Sequence, residues 1–136
     1  MALLNPFLRF NDGRCREAMN FYKECFGGEV SFMTVGESPM AKDMPAEKQA
    51  YIMHAELSKG SFVFYGSDMM RDTATIGDNV GMALNCESET EIRELFAKLS
   101  QGGKVFMPIE DAFWGALFGM LTDKYGVEWM LNYQKK

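Results

Sequence analysis

Apolar residues recur along the first half of the chain with two different periods. From residue 14 to residue 26 they fall three and four apart, at Cys15, Ala18, Met19, Tyr22, Cys25 and Phe26, which is the stripe of an amphipathic helix. Gly27-Gly28 supplies its left-handed stop. Residues 3–11 mix aliphatic and aromatic side chains and read as a strand ending at Asn11-Asp12-Gly13, where the helix is capped. Residues 29–35 predict a short strand. Residues 36–49, interrupted by Pro39 and Pro45, hold no single regular element and read as a flap able to close over a site. Two further strands, 50–57 and 61–66, are joined by Ser58-Lys59-Gly60 as a hairpin, and 67–79 is polar loop.

The second half starts the same series again. A strand over 80–86 leads into Ser88-Glu89-Thr90-Glu91, the spacing of a capping box, and then an apolar stripe of Ile92, Leu95, Phe96 and Leu99 ending at Gly102-Gly103. Strands over 104–109, 116–122 and 127–133 complete the chain, the last two joined by Asp123-Lys124-Tyr125-Gly126. One fixed shift lays Phe21 on Phe96, Lys23 on Lys98, Gly27-Gly28 on Gly102-Gly103 and Val30 on Val105. A shorter shift aligns Gly60 with Gly126, the longer flap absorbing the difference. Both halves read β-α-β-β-β. The fold class is therefore α+β, two βαβββ modules forming cupped mixed sheets.

Composition narrows the function classes. The chain has 136 residues, 47% of them hydrophobic and 24% charged, as expected of one ordinary globular domain. A net charge of −5 with no basic cluster argues against nucleic acid as a partner. No apolar run is long enough for a membrane span and no basic leader precedes the first strand, so the expected location is cytoplasmic with no membrane partner. Three cysteines without a CxxC pair fit reduced, packed thiols. There is one histidine, His54, so any Ser-His or Cys-His chemistry has a single available base. Phosphate-cradling glycine loops, HExxH and GxSxG are all missing.

Four blocks in order carry a family likeness: Asn5-Pro6-Phe7-Leu8-Arg9-Phe10-Asn11; Cys15-Arg16-Glu17-Ala18 with Phe21-Tyr22 and Phe26-Gly27-Gly28; Ile52-Met53-His54-Ala55; and Trp114-Gly115 through Phe118-Gly119 to Asp123–Met130. The chain resembles the vicinal-oxygen-chelate superfamily of glyoxalases, bleomycin-resistance proteins and extradiol dioxygenases, and within it the PhnB-like branch. The resemblance implies a single domain over 1–136, made of module 1–68 and module 79–136. It also implies one metal ligand on the first and one on the last strand of each module. Counted from the helix entrances and hairpin glycines, those positions hold Asn5, Phe64, Val80 and Met130, of which three are unsuited to a hard divalent ion. No metal and no cofactor is expected.

Strand alternation then assigns the cup face. It groups Phe7 and Arg9, Phe62 and Phe64, Met82, Glu128 and Met130, with Trp114 and Phe118 as further ligand-stacking candidates. The expected site is an apolar cup that binds a small molecule. His54, Glu56 and Glu128 are the candidate acid-base residues of a rival reading, an enzyme using His54 for proton transfer or a metal placed elsewhere. Their plainer reading is a strand histidine satisfied by a neighbour and an Arg9–Glu128 ion pair. A third reading is a ligand-free interaction protein. In each case a homodimer is expected, from the frequency of Phe, Trp and Met in so short a chain.

Overall fold

The computed structural model describes residues 1–69 and 73–135, so part of the predicted 67–79 loop lies outside the described residues. In chain order the elements are β1 (Phe7–Arg9), α1 (Cys15–Phe26), β2 (Glu29–Thr34), β3 (Ile52–Lys59), β4 (Phe62–Ser67), β5 (Gly81–Cys86), α2 (Glu89–Leu99), β6 (Lys104–Asp111), β7 (Ala116–Thr122) and β8 (Glu128–Gln134). The chain divides into two units, Met1–Ala74 and Thr75–Lys136. The first holds a four-stranded sheet in the order β1-β4-β3-β2, the second one in the order β5-β8-β7-β6. In each, the first strand runs parallel to the last and the other pairs are antiparallel. The α+β class expected from the sequence is the class observed.

Each sheet is covered on one face by its helix, and there the core forms. In the first unit Cys15, Ala18, Met19 and Tyr22 of α1 are fully buried with Ala55 and Leu57 of β3. The Tyr22 ring meets Phe64 edge-on at 5.7 Å, and Phe26 meets Phe62 likewise at 5.7 Å. Gly66 lets the helix come this close, since a Cβ there would lie 3.0 Å from the Met19 sulfur. In the second unit Ile92, Phe96 and Leu99 of α2 pack with Leu117, Leu121, Trp129 and Leu131. Each such large side chain withdrawn from water stabilises by about 1.5–3 kcal/mol.

The helix starts differ from each other. Ser88 caps α2 as expected, its hydroxyl accepting from the Glu91 N–H at 3.0 Å. The Glu91 carboxylate reaches back to the Glu87 N–H at 2.7 Å. The expected cap of α1 at Asn11-Asp12-Gly13 is not formed by a side chain. The Asn11 side chain instead bonds Ala74 in both directions, at 2.7 and 3.0 Å. The carboxylate of Asp68, from the end of β4, accepts the Cys15 N–H at 3.0 Å and the Ile52 N–H at 2.8 Å. Burial raises the Asp68 carboxyl above its ordinary pKa, against the pull of those two N–H groups.

The hairpin between β3 and β4 also departs from expectation. Lys59 pairs with Phe62, so the loop is the two residues Gly60-Ser61, with Gly60 at φ +55°. A three-residue loop had been predicted, and the one-residue difference turns every β4 side chain to the opposite face. Residues 36–49 hold no single regular element, as read, only short 3-10 turns such as Ala41–Asp43 and Ala46–Lys48, and they are stitched to themselves. Thr34 and Glu37 form a capping box, and the Gln49 amide donates to Ala41 O at 2.8 Å and Met44 O at 2.9 Å. The N–H and hydroxyl of Thr34 hold the Glu37 carboxyl below its ordinary pKa. No helix among the described residues is long and apolar enough to cross a membrane.

Candidate functional site

The face of each sheet turned away from its helix is where side chains are left for chemistry. In the first unit, Phe7, Tyr65 and Glu56 are brought into one row by pairing across β1, β4 and β3, and Glu56 in turn pairs with Ser31. The Tyr65 ring lies 5.3 Å from the His54 ring and 6.3 Å from Phe7. Arg9 follows Phe7 on the same side of β1, opposite Ser67, and Met33 flanks His54 from β2. Arg9 is exposed, while His54, Glu56 and Tyr65 are half-buried.

In the second unit the helix-free face has three rows. Met130 pairs with Ala83 on one side and Met120 on the other, and Met120 pairs with Met107, which gives a central row of three thioethers. The Met130 methyl lies over Gly81, where an added Cβ would meet it at 2.9 Å. To one side Asn132 pairs with Phe118, and Trp114 closes that end. Its ring meets Phe118 edge-on at 5.2 Å and its indole N–H donates to Asn132 Oδ1 at 3.1 Å. To the other side Glu128 accepts from the Thr122 hydroxyl. An unbranched, polarizable middle between polar margins suits an irregular apolar ligand.

Several expected site residues are therefore relocated. Phe62 and Phe64 lie beneath α1, with Phe64 only 5% exposed, and Tyr65 takes the face they were given. Met82 pairs with Trp129, whose side chain is 4% exposed, so Met82 belongs to the helix side of the second sheet. Trp129 is core too, its indole N–H donating to Asp123 Oδ2 at 2.8 Å. Ile52, two residues before His54, is fully buried. Phe7, Arg9, His54 and Glu56 do share one face in the first unit, and Phe118, Glu128 and Met130 share one in the second, joined by Trp114. Tyr65, Met107, Met120 and Asn132 were missed. For Tyr65 the usable signal was Gly60-Ser61 read as a two-residue hairpin turn.

The positions that the family resemblance assigns to metal ligands hold little that could bind a divalent ion. Asn5 donates its side-chain amide to Val63 O at 3.0 Å, Phe64 is in the core, and Met130 offers a thioether. Sliding Phe64 and Val80 one residue onto the helix-free faces gives Tyr65 and Gly81. His54 and Glu56 are neighbours of suitable chemistry, but no group of three His, Cys, Asp or Glu side chains is assembled among the described residues. The donor set does not fit a divalent ion. Cys15 and Cys86 are no more available as nucleophiles. Burial, reinforced by Asp68, pushes the Cys15 thiol far up, and burial with Glu91 pushes Cys86 up to about 11.

The family model for the Glyoxalase/Bleomycin resistance protein/Dioxygenase superfamily matches residues 4–131. The chain belongs to that superfamily. It is 36% identical to protein PA1353 from Pseudomonas aeruginosa, with a TM-score of 0.82 over 98% of this chain and 100% of that one. It is 30% identical to a PhnB protein from Bacillus cereus that carries the provisional name 3-demethylubiquinone-9 3-methyltransferase, with a TM-score of 0.76 over 97% and 99% of the two chains. It is also similar to Protein YjdN of Escherichia coli (strain K12), at 29% identity over 98% of this chain and 96% of YjdN. The PhnB-like resemblance of the sequence holds, so this superfamily member matches relatives of its own length from end to end.

Proposed function

We propose that this PhnB-like superfamily member binds a small apolar or amphipathic molecule on the helix-free faces of its sheets, without a metal ion. The observation that carries the reading is the row Met107–Met120–Met130 with Phe118 and Trp114 at its end. Side chains of that kind, left in a row on a sheet face, form a deformable apolar surface. A neutral fluorescent probe, N-phenyl-1-naphthylamine, tests it. The wild type should enhance its emission on binding, and Met120→Lys should weaken uptake at least tenfold. His54→Ala, in the first unit, should leave uptake by that row unchanged. No enhancement, or equal uptake by Met120→Lys, contradicts the reading. One equivalent of zinc, manganese, nickel or iron per purified chain contradicts its metal-free part.

The placement of His54 beside Tyr65 and on the same face as Glu56 favours an enzymatic second reading, in which His54 moves a proton. Glu128, the third candidate, is engaged by Thr122 in the other unit. The methyltransferase name belongs to the Bacillus protein, and this sequence has no glycine-rich loop to support carrying it over. We also propose a homodimer. Val105 and Phe106 of the edge strand β6 are 43% and 56% exposed, and β6 begins with Lys104 and ends with Glu110-Asp111. A twofold mate lying antiparallel presents opposite charges to each end. Pro108 and the register shifts of β6 oppose an added strand, so side chains carry the contact.

A further inference from the structure

Among the described residues the arginines differ in how their charge is met. Arg14 pairs with Glu17 at 3.1 Å, Arg93 pairs with Glu89 at 2.9 Å, and Arg16 lies over the Phe32 ring at 4.8 Å. Arg9 makes no ion pair and no ring contact among the described residues, although its position is unlike theirs. It stands on a sheet face, not a helix surface, one pleat beyond Phe7 and on the same face as the neighbouring rings of Phe7, Tyr65 and His54. Glu56 ends the cross-strand row Phe7–Tyr65–Glu56, two strands from β1 and diagonally opposite Arg9. The face thus carries a cluster of tilted rings, inclined by 45° between Phe7 and Tyr65 and 36° between His54 and Tyr65, with a cation at one corner and an anion at the opposite one.

We infer that the helix-free face of the first unit binds a planar aromatic anion, an aryl carboxylate, with its ring on Tyr65 and Phe7 and its carboxylate on the Arg9 guanidinium. The guanidinium fork matches a carboxylate with two parallel N–H bonds, which a lysine does not offer. The Tyr65 and Phe7 rings, 6.3 Å apart and tilted by 45°, offer a ligand ring one face to stack on and one ring edge to meet. Glu56 repels an anion placed at its own end and so fixes the direction in which the ligand lies. The inference goes beyond the function proposed above: it assigns a ligand class to the first unit and does not depend on the methionine row of the second.

The test compares 2-naphthoate with its neutral isostere 2-naphthamide by calorimetric titration of the full chain. The wild type should bind naphthoate at least fivefold more tightly, and added salt should narrow that preference. Arg9→Gln should lose about tenfold for naphthoate, tenfold being the factor that 1.4 kcal/mol represents, and nothing for naphthamide. Tyr65→Leu should weaken both probes alike. Arg9 is exposed, so Arg9→Gln should leave the circular dichroism spectrum unchanged, which separates loss of a contact from loss of fold. Equal affinities for the two probes, an Arg9→Gln variant that binds naphthoate normally, or no binding of either probe overturns the inference. None of these results touches the uptake of a neutral probe by the Met120 surface, which has its own tests.

Discussion

Phe64 and Tyr65 are adjacent in the chain and have opposite fates. Phe64 is 5% exposed beneath α1, so Phe64→Ala should cost about 3–5 kcal/mol in urea unfolding. Tyr65→Phe removes only a hydroxyl on the helix-free face and should stay within about 0.5 kcal/mol. Equal losses would mean the register is wrong. Met82→Trp should likewise overpack the helix side, destabilising by about 1–3 kcal/mol without blocking probe uptake. Alternation along each strand was legible in the sequence; which parity faces the helix was not. That choice follows from pairing partners: Lys59 with Phe62 in one sheet, Gly81 with Glu128 in the other. The Trp114–Asn132 bond was out of reach for the same reason, because it joins two strands through their tertiary arrangement.

At the scale of the element, local signals were readable and distant ones were not. Ser88 caps α2 from within its own first turn, and the motif announces it. Asp68 serves the start of α1 from 53 residues away, and no spacing rule points to it. Its carboxyl carries a raised pKa in the folded chain, so the stability this group contributes is fully present below its ordinary pKa of 3.8 and falls as pH rises through the raised value. Asp68→Asn removes that titration and leaves one backbone N–H without an acceptor, at a cost of about 1–3 kcal/mol. The stability gap between wild type and variant should therefore be wider at pH 4 than at pH 7. Urea unfolding of both proteins at several pH values reads it, and a gap that widens with pH contradicts the assignment. In the predicted flap over 36–49, Pro39 and Pro45 excluded one continuous element, and only short 3-10 turns form there, but the Gln49 amide ties the segment down.

For the molecule as a whole, the repeat of strand, helix and glycine stop was visible by laying the sequence on itself, and both sheets share one strand order. Assembly rests on a different feature, the exposed apolar side chains of β6. Sedimentation equilibrium over a hundredfold concentration range should give twice the 15.4 kDa chain mass, and Phe106→Lys should return it to 15.4 kDa. A wild-type mass that stays at 15.4 kDa refutes the dimer. Ligand uptake at the methionine surface is read most directly by methionine-methyl NMR. With ¹³C-methyl methionine incorporated, adding N-phenyl-1-naphthylamine should move the resonances of Met120 and Met130 and leave the fully buried Met19 and the helix-side Met82 in place. Unchanged spectra, or shifts at Met19 and Met82 as large as those at Met120, would contradict it.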